Sequence, residues 1–520
     1  MKRYIFLVTS VSMITAAVTA QNVVDAVRYA NSEISGTARY RSMAGAFGAL
    51  GGDPSCMSDN PAGLAIYRGT SLFSLTPHMS YTGTETMGTE KMKNSDSSFG
   101  LSNFAWVGSF RTIASDHLVN FNLGISIDRR MENNSKFDIT LDEPHGSFGN
   151  YLTNQANHYL GGTLLPGSAF DWNNDYTQAP FLSMLAWNSY AIDIAQPDDH
   201  SVIDPMAGSP VYQRLFTRET TRLDNYNFSA AMNFDDIFYV GATLKVTDFS
   251  SIIETEFDED YDYEYNGSYI AYDNRFESKG SGVGLNVGVL WAPIDNLRIG
   301  AAVHTPTMTT IDEYYDGSMI TDDERVYDWE SFNDEWRFDF STPWEYQFSA
   351  ALILGRKGLL SVEYDMRDFS SIEYSHNRSY GLTDSYFYST NDAISQTLTQ
   401  QHTFKIGGEY RITDNISARA GYAFSTSPYN DDALNGTISA DMHNITYYST
   451  TKPNFQTLGD QQYFSLGTGW RGKKWFADLS YVFHSLEQKT AAYPGDFSYC
   501  NMVNVDFSQQ NWDFTLGYRF

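Results

Sequence analysis

The last ten residues, Asn511 to Phe520, read NWDFTLGYRF and alternate without a break: Trp512, Phe514, Leu516, Tyr518 and Phe520 share one face, and Asn511, Asp513, Thr515, Gly517 and Arg519 share the other. A helix would scatter these two sets around its circumference, whereas a strand, with its side-chain period of two, sorts them completely. The same sorting recurs upstream. In KWFADLSYVFH, Trp475, Ala477, Leu479, Tyr481 and Phe483 oppose Phe476, Asp478, Ser480 and His484. In NISARAGYAFS, Ile416, Ala418, Ala420, Tyr422 and Phe424 oppose Ser417, Arg419, Gly421 and Ser425, and in LLSVEYDMR, Leu360, Val362, Tyr364 and Met366 oppose Ser361, Glu363, Asp365 and Arg367.

Alternation of this kind suits either a β-sandwich, whose apolar face points inward, or a membrane β-barrel, whose apolar face points out to lipid. Three features favour the barrel. Aromatic residues gather toward strand ends, where a lipid interface would hold them. The strands reach the ten or so residues needed to cross a bilayer at a tilt. The polar face carries opposite charges, including Lys405, Glu409, Arg411 and Arg419, as a wet or plugged lumen would.

Counting outward from these segments gives about fourteen strands, centred near Leu75, Phe104, Leu123, Phe228, Gly241, Leu285, Gly300, Phe348, Val362, Ile406, Ala420, Leu466, Leu479 and Phe514. The even number is that of bacterial single-chain barrels. Brief turns (NFDD, APIDN, GRKG, RITDN, RGKK) alternate with long polar connections, which puts short turns on one rim and long loops on the other. The longest excursion is expected from about Glu132 to Arg222, with two short helices in YLTNQANHYL and PFLSMLAWNSYAI. FDEDYDYEYNGSYIAYDN is expected to be a further loop, solvated or cation-binding.

The chain has 520 residues, a formal net charge of -29 and two cysteines. Lys2 and Arg3, an apolar run from Tyr4 to Val18 and Thr19-Ala20 before Gln21 read as a secretory signal occupying residues 1–20. No other long uncharged apolar run follows, so no transmembrane helix is expected. The acidity argues against nucleic acid as a partner, because phosphate binding needs a positive footprint. Cys56 and Cys500 are too few for a disulfide scaffold; one bridge or two buried thiols both remain open.

Between the signal and the first strand lies a stretch that does not alternate, Gln21 to about Arg68, containing ARYRSMAGAFGALGGDPSCMSDNPAGLAIYRG. Its small residues allow close backbone approach, and Asn60 can cap a helix that starts at Pro61.

The run ARYRSMAGAFGALGGDPSCMSDNPAGLA resembles the N-terminal signature of the outer-membrane hydrophobic-compound transporters, the family of the long-chain fatty acid transporter and the toluene-uptake channel. Asn60, Pro61, Ala62, Gly63 and Leu64 reproduce its most specific part. RIGAAVHTPTMT resembles the family's strand ending in a His/Tyr-x-Pro corner, FSTPWEYQFSAAL its proline-containing strand start, and EYRITDNISARAGYAFSTSPY a segment near its C-terminal third. The chain departs from the family at Gly52-Asp53, where paired aspartates are frequent, and in its longer loops, so no substrate-contacting loop residue is carried over.

The resemblance implies an all-β fold, a 14-stranded antiparallel transmembrane β-barrel spanning residues 69–520, plugged by an N-terminal hatch over residues 21–68. It implies passive, gated uptake of a hydrophobic small molecule, long-chain fatty acid-like or aromatic, across the bacterial outer membrane, with outer-membrane lipid around the wall. Asn60, Pro61, Ala62 and Gly63 would serve as the pivot of the hatch. Trp512, Tyr518 and Phe520 resemble the C-terminal signal read by the barrel-assembly machinery.

Enzyme, metal and cofactor chemistry is not expected. The ten histidines are scattered, His484 on an inward strand face reads as a lumen hydrogen-bonder, and no Cys/His spacing suits a metal. GVGLNVG, Gly282 to Gly288, lies inside an alternating strand and opens no helix, so it is not a dinucleotide turn. Two other partner classes stay open: a barrel that exports or shuttles protein cargo bound by its loops, and a haem receptor using His145, His158, His200 or loop tyrosines.

Overall fold

A computed structural model describes residues 22–112, 117–160, 180–194, 202–203, 210–262, 269–321, 334–376, 387–434, 454–493 and 502–520. The signal segment and Cys500 lie outside the described residues, as do His200 and the centre of the acid-tyrosine stretch.

One sheet holds seventeen strand segments, and three strands are interrupted part-way, so the wall has fourteen strands. They are β1 (Leu72–Met87), β2 (Lys91–Arg111), β3 (Leu118–Asp142), β4 (Pro210–Phe234), β5 (Phe238–Tyr261), β6 (Tyr269–Ile294) and β7 (Leu297–His304 with Met308–Thr321). Then follow β8 (Asp334–Ser341 with Glu345–Leu354), β9 (Gly358–Asp368 with Glu373–His376), β10 (Gln400–Arg411), β11 (Ile416–Ser425), β12 (Phe455–Arg471), β13 (Trp475–Ala491) and β14 (Val503–Arg519). Every neighbour is antiparallel, and β14 returns to β1 from Leu72↔Arg519 to Thr86↔Val505, closing the barrel. All fourteen expected centres fall inside these strands.

The apolar set faces out. Leu466, Phe514, Phe348 and Val283 are exposed on the outer wall, while Ser465, Asp513, Gln347 and Asn286 beside them are buried inside. A water-soluble protein would not present such a belt to water; lipid is the solvent that suits it. Aromatic residues frame it at the short-turn rim, where Trp475 meets Tyr518 with ring centroids 4.9 Å apart, and at the other rim, where Tyr481 meets Trp512 at 5.5 Å.

Two boundaries differ from expectation. The excursion set at Glu132 to Arg222 is strand as far as Asp142 and again from Pro210, and much of the acid-tyrosine stretch is strand too, up to Tyr261 and again from Tyr269. Above the lipid the alternation turns over: Phe137, Ile139, Leu215 and Phe257 point inward, while charged residues such as Asp138, Arg214 and Asp258 take the outer face, so the outward apolar pattern ends while backbone pairing continues. Cross-strand charges hold these extensions, as between Arg275 and Glu254 at 3.1 Å. The two expected helices form, as α2 (Phe148–Leu160) and α3 (Phe181–Asn188), after α1 (Val23–Ala30) at the N-terminus.

The breaks in β7, β8 and β9 lie side by side. Pro306 and Pro343 lack the N–H that a ladder needs, and a 3-10 turn over Phe369–Ser371 interrupts β9, its Asp368 carboxylate accepting the Ser370 N–H at 3.2 Å. Thr342 N–H donates to the Thr307 carbonyl at 3.2 Å, joining two of the breaks. The wall is therefore creased across three neighbouring strands.

Candidate functional site

Residues from Asn22 to Ile66 pack against inward-facing side chains of the wall, and from Ile34 to Ala65 all but Arg39 and Gly52 are buried. Asn60 organises the contact. Its side-chain carbonyl caps the 3-10 turn Pro61–Ile66 by accepting the Ala62 N–H at 3.1 Å, and its amide donates to the Gly48 carbonyl at 2.8 Å and to Val289 of β6 at 3.2 Å. One side chain thus ties the turn, the preceding loop and the wall together. Carbonyls of the turn are met from the wall as well, Asn122 donating to Leu64 at 2.6 Å and Asn120 to Ala65 at 3.0 Å, and just before the turn Asn286 donates to Ser58 at 3.3 Å.

The wall makes room with glycine. A Cβ on Gly241 would sit 2.6 Å from the Ala62 nitrogen, and one on Gly288 would lie 2.9 Å from Asn60 Cγ and 3.0 Å from Pro61 Cδ. Gly300 is as tight, 2.6 Å from the Gly48 carbonyl oxygen. The sequence reading met Gly241 and Gly300 only as strand centres and Gly288 only as the end of the rejected nucleotide loop GVGLNVG, and it linked none of them to the motif. Glycine recurring at inward strand positions is the signal that could have found them.

Charge fastens the remainder. Arg41 pairs with Asp513 of β14 at 2.6 Å, and Arg39 pairs with Glu409 at 3.0 Å, which continues through Arg419 (2.6 Å) and Asp478 to Arg471 (both 2.7 Å). Glu363 accepts the successive N–H groups of Phe47 (3.1 Å) and Gly48 (2.6 Å) while Lys405 holds its other oxygen at 2.7 Å. Asp59 accepts from Gln347 at 2.7 Å, and burial pushes its carboxyl up from the ordinary range against the pull of Lys405. Cys56 is buried here with no disulfide partner among the described residues, its thiol likewise pushed up by burial.

On the opposite side the wall has a seam. β2 and β3 pair from Arg111↔Asn120 only as far as Asn103↔Asp128, although β2 runs on to Lys91 and β3 to Asp142. Asn103 stands opposite Thr76, between the outward Leu75 and Met79, so the pairing ends within the apolar belt. The orphaned carbonyls of β3 take substitute donors: Glu33 N–H to Arg130 at 2.7 Å, Gln509 to Glu132 at 2.9 Å, Thr84 to Lys136 at 2.5 Å, Thr86 to Asp138 at 2.6 Å and Thr89 N–H to Thr140 at 2.8 Å. The first comes from the N-terminal segment, which also lays its Gly36 carbonyl against Ser102 of β2 (3.0 Å) and its Ser35 hydroxyl 3.3 Å from the same hydroxyl. Behind it His78 contacts Glu132 at 3.2 Å, and Glu132, Arg129 and Asp224 form a chain of ion pairs at 2.7 and 3.1 Å.

The crease borders a lumen cavity of about 80 Å³. Tyr29 to Ser32 and Ser58 close one side of it, and His304, Glu345, Arg367, Arg130 and Lys245 line the other. At the long-loop rim, α2 and α3 bury an aromatic cluster in which Phe148 meets Phe257 at 5.0 Å and Phe181 meets Tyr315 at 4.5 Å. The fully buried Glu259 of β5 accepts the Phe148 N–H at 2.8 Å, fastening the start of α2 to the wall.

No protein-family model and no curated protein sequence matches the chain. Among solved structures, a FadL homologue from Pseudomonas aeruginosa matches with a TM-score of 0.56 at 14% identity, over 94% of this chain and 99% of that one. The chain has the FadL fold. The toluene transporters TbuX of Ralstonia pickettii and TodX of P. putida match at TM-scores of 0.48, with 15% and 10% identity, each over 94% of this chain and 99% of its own. The match to the FadL homologue bears out, for the fold, the resemblance carried by Asn60 to Leu64.

Within the FadL fold, Asn60, Pro61, Ala62 and Gly63 lie together against β5 and β6, whereas Trp512, Tyr518 and Phe520 lie far from them on the outer face of the closing strand. Tyr518 and Phe520 stack at 6.1 Å, and Phe520 N–H donates to Ser71 at 3.0 Å. His484 faces the lumen, stacked on Tyr463 at 4.1 Å with Gln461 at 3.3 Å, as a hydrogen-bonder. Among the described residues no cluster of His, Cys, Asp and Glu could hold a metal.

Proposed function

We propose that this protein takes up hydrophobic small molecules through the outer membrane by passive, gated diffusion, with the N-terminal segment as the hatch. The observation that carries the reading is the seam: strand pairing ends inside the apolar belt, and the edge left behind is capped by Glu33 of the N-terminal segment. A lumen filled by protein offers no continuous water channel, and an apolar solute gains by leaving sideways into lipid. Capture would begin in the aromatic cluster at the long-loop rim, continue past α1 and end at the seam once segment 33–36 withdraws. Asn60 to Gly63 would be the fixed end about which that segment moves.

Ser35 and Ser102 provide the test, because their hydroxyls are 3.3 Å apart across the seam. In a background with Cys56 and Cys500 replaced by serine, a Ser35→Cys, Ser102→Cys pair should cross-link when oxidised and reduce entry of a fluorescent acyl probe into vesicles at least tenfold, with recovery on reduction. Equal uptake by the oxidised and reduced forms would refute the seam as the exit.

A further inference from the structure

The outer wall carries a feature that passage through the lumen does not use. On the long-loop side of Met79 and Trp512, which pair across β1 and β14 in the apolar belt, the strands β12, β13, β14, β1 and β2 form a cavity of about 960 Å³. Its floor is small: Gly83, Ser508 and Ser485 stand opposite one another on successive strands, beside Gly459. Its rim is charged, with Lys93, Glu85, Asp506 and Glu487 abreast on four strands. The volume is that of a ligand site, and the place, directly beyond the aromatic belt, is the level of the lipid head groups.

Two of these carboxylates lack donors. Lys91 and Lys93 both hold Glu85, the latter at 2.7 Å, and Lys489 donates to the Leu434 carbonyl at 3.0 Å. Asp506 and Glu487, directly opposite each other, have no hydrogen bond or ion pair among the described residues. Like charges facing each other across strands are unfavourable unless something bridges them. A buried group points into the same space. The pairing of β12 shifts between Leu458 and Gln461, which turns the faces of that strand over. Leu486 of β13 lines the lumen beside Val24 and Arg28 of α1, so Glu487 and Lys489 face outward, and Thr457, the partner of Lys489, faces outward with them. Thr457 lines the cavity, is 1% exposed, and its Oγ1 has no hydrogen-bond partner among the described residues.

The surrounding chemistry selects the occupant. Thr457, Ser485, Ser508 and Gln462 present donors and acceptors together, around carboxylates that only accept. Hydroxyl groups match both. A phosphate is repelled by Asp506 and Glu487, and an ammonium satisfies the carboxylates but leaves the hydroxyls and the amide unmatched. We infer that the cavity receives the sugar head of an uncharged glycolipid whose chains lie on the belt below. Tyr81 argues for a lipid over a free sugar: it lines the cavity and is exposed on the outer wall next to Met79 and Trp512, so head-group site and chain surface are continuous. This lipid binds outside the barrel and does not depend on what crosses the lumen.

The experiment uses the mature protein, freed of lipid in a zwitterionic detergent and titrated by native mass spectrometry. The probes are dioleoyl diglucosylglycerol, dioleoyl phosphatidylethanolamine, dioleoyl phosphatidylglycerol and free maltose. The glycolipid should bind about tenfold or more tightly than any of the other three, one hydrogen bond to a charged group being worth about that factor. Asp506→Asn combined with Glu487→Gln should remove most of this preference while thermal stability holds or rises, because a like-charge pair has gone. Gly83→Leu, which fills the floor, should weaken the glycolipid similarly, and Thr457→Val severalfold, with heat-modifiable gel mobility confirming the barrel in each. Equal binding of phosphatidylethanolamine would make this an ammonium site, equal binding of maltose a free-saccharide site, and tightest binding of phosphatidylglycerol an anion site. Each of these overturns the proposal, as does failure of the glycolipid to bind, or an affinity for it unchanged in both the double variant and Gly83→Leu.

Discussion

Gly288 and Gly241 are the places where the wall gives way to the Asn60-Pro61-Ala62 turn, so adding one methyl to either tests what holds the N-terminal segment. In Gly288→Ala the new Cβ meets Asn60 Cγ at 2.9 Å and Pro61 Cδ at 3.0 Å; in Gly241→Ala it meets the Ala62 nitrogen at 2.6 Å. None of these neighbours yields freely: the Asn60 side chain is held by its bonds to Gly48, Val289 and Ala62, Pro61 is a ring, and Ala62 N is backbone held by the Asn60 carbonyl. Overpacking of this kind costs roughly 1–3 kcal/mol. The strands themselves lose nothing, since alanine is about 0.5–1 kcal/mol better than glycine within regular structure. The penalty falls on docking alone and raises the undocked population by roughly 5- to 150-fold, at about 1.4 kcal/mol per tenfold. Both methyls push the same turn, so one displacement relieves both and the double variant should cost less than the sum. Cys56, buried beside Gly63, is the reporter: in a Cys500→Ser background its maleimide labelling should accelerate by that factor, while heat-modifiable gel mobility shows an intact barrel. Labelling within twofold of the parent, with the barrel intact, would refute the idea that the glycine windows seat the segment.

Asn60→Ala removes a cap worth about 1 kcal/mol and leaves the buried Gly48 carbonyl without its side-chain donor, a further 1–3 kcal/mol or so, and uptake of hydrophobic ligand should change while barrel yield on gels does not. Glu33, where burial holds the carboxyl up to about 7, makes seam docking pH-dependent. Its folded value lies above the unfolded one, so docking is tightest below about pH 4.5 and weakens as ionisation becomes costly, levelling off above about pH 7 with a loss of up to about 3 kcal/mol. Exchange of the Ser35 amide, corrected for its intrinsic rate, should follow that window in the parent and flatten in Glu33→Gln. Deletion of Phe520 removes the N–H donated to Ser71 and one aromatic of the closing strand, and the fraction of chain inserted into the outer membrane should fall severalfold.

The alternation of Trp512 to Phe520 and its relatives was enough to place all fourteen strands, because lipid on one side and a packed lumen on the other impose a period of two that no loop can imitate. Local chemistry likewise showed in Asn60-Pro61, where a capping side chain and a fixed φ start the turn. Strand ends beyond the lipid were invisible because lipid no longer sets the outer face there: in Phe257 to Tyr261 the outer positions are Asp258 and Asp260 while Phe257 and Tyr261 point inward, and only the partner strand says that the backbone is still paired. Other features depend on residues far apart in the chain. The seam is a loss of pairing between β2 and β3, and Asn103 and Asp128 look like any other strand residues until their partners are known. The crease cavity gathers Arg130, Lys245, His304, Glu345 and Arg367 from five strands, so no local spacing could announce it. Sequence determines which face of each strand meets lipid, since that is decided residue by residue; what lies opposite within the lumen is decided only when the barrel closes around its N-terminal segment.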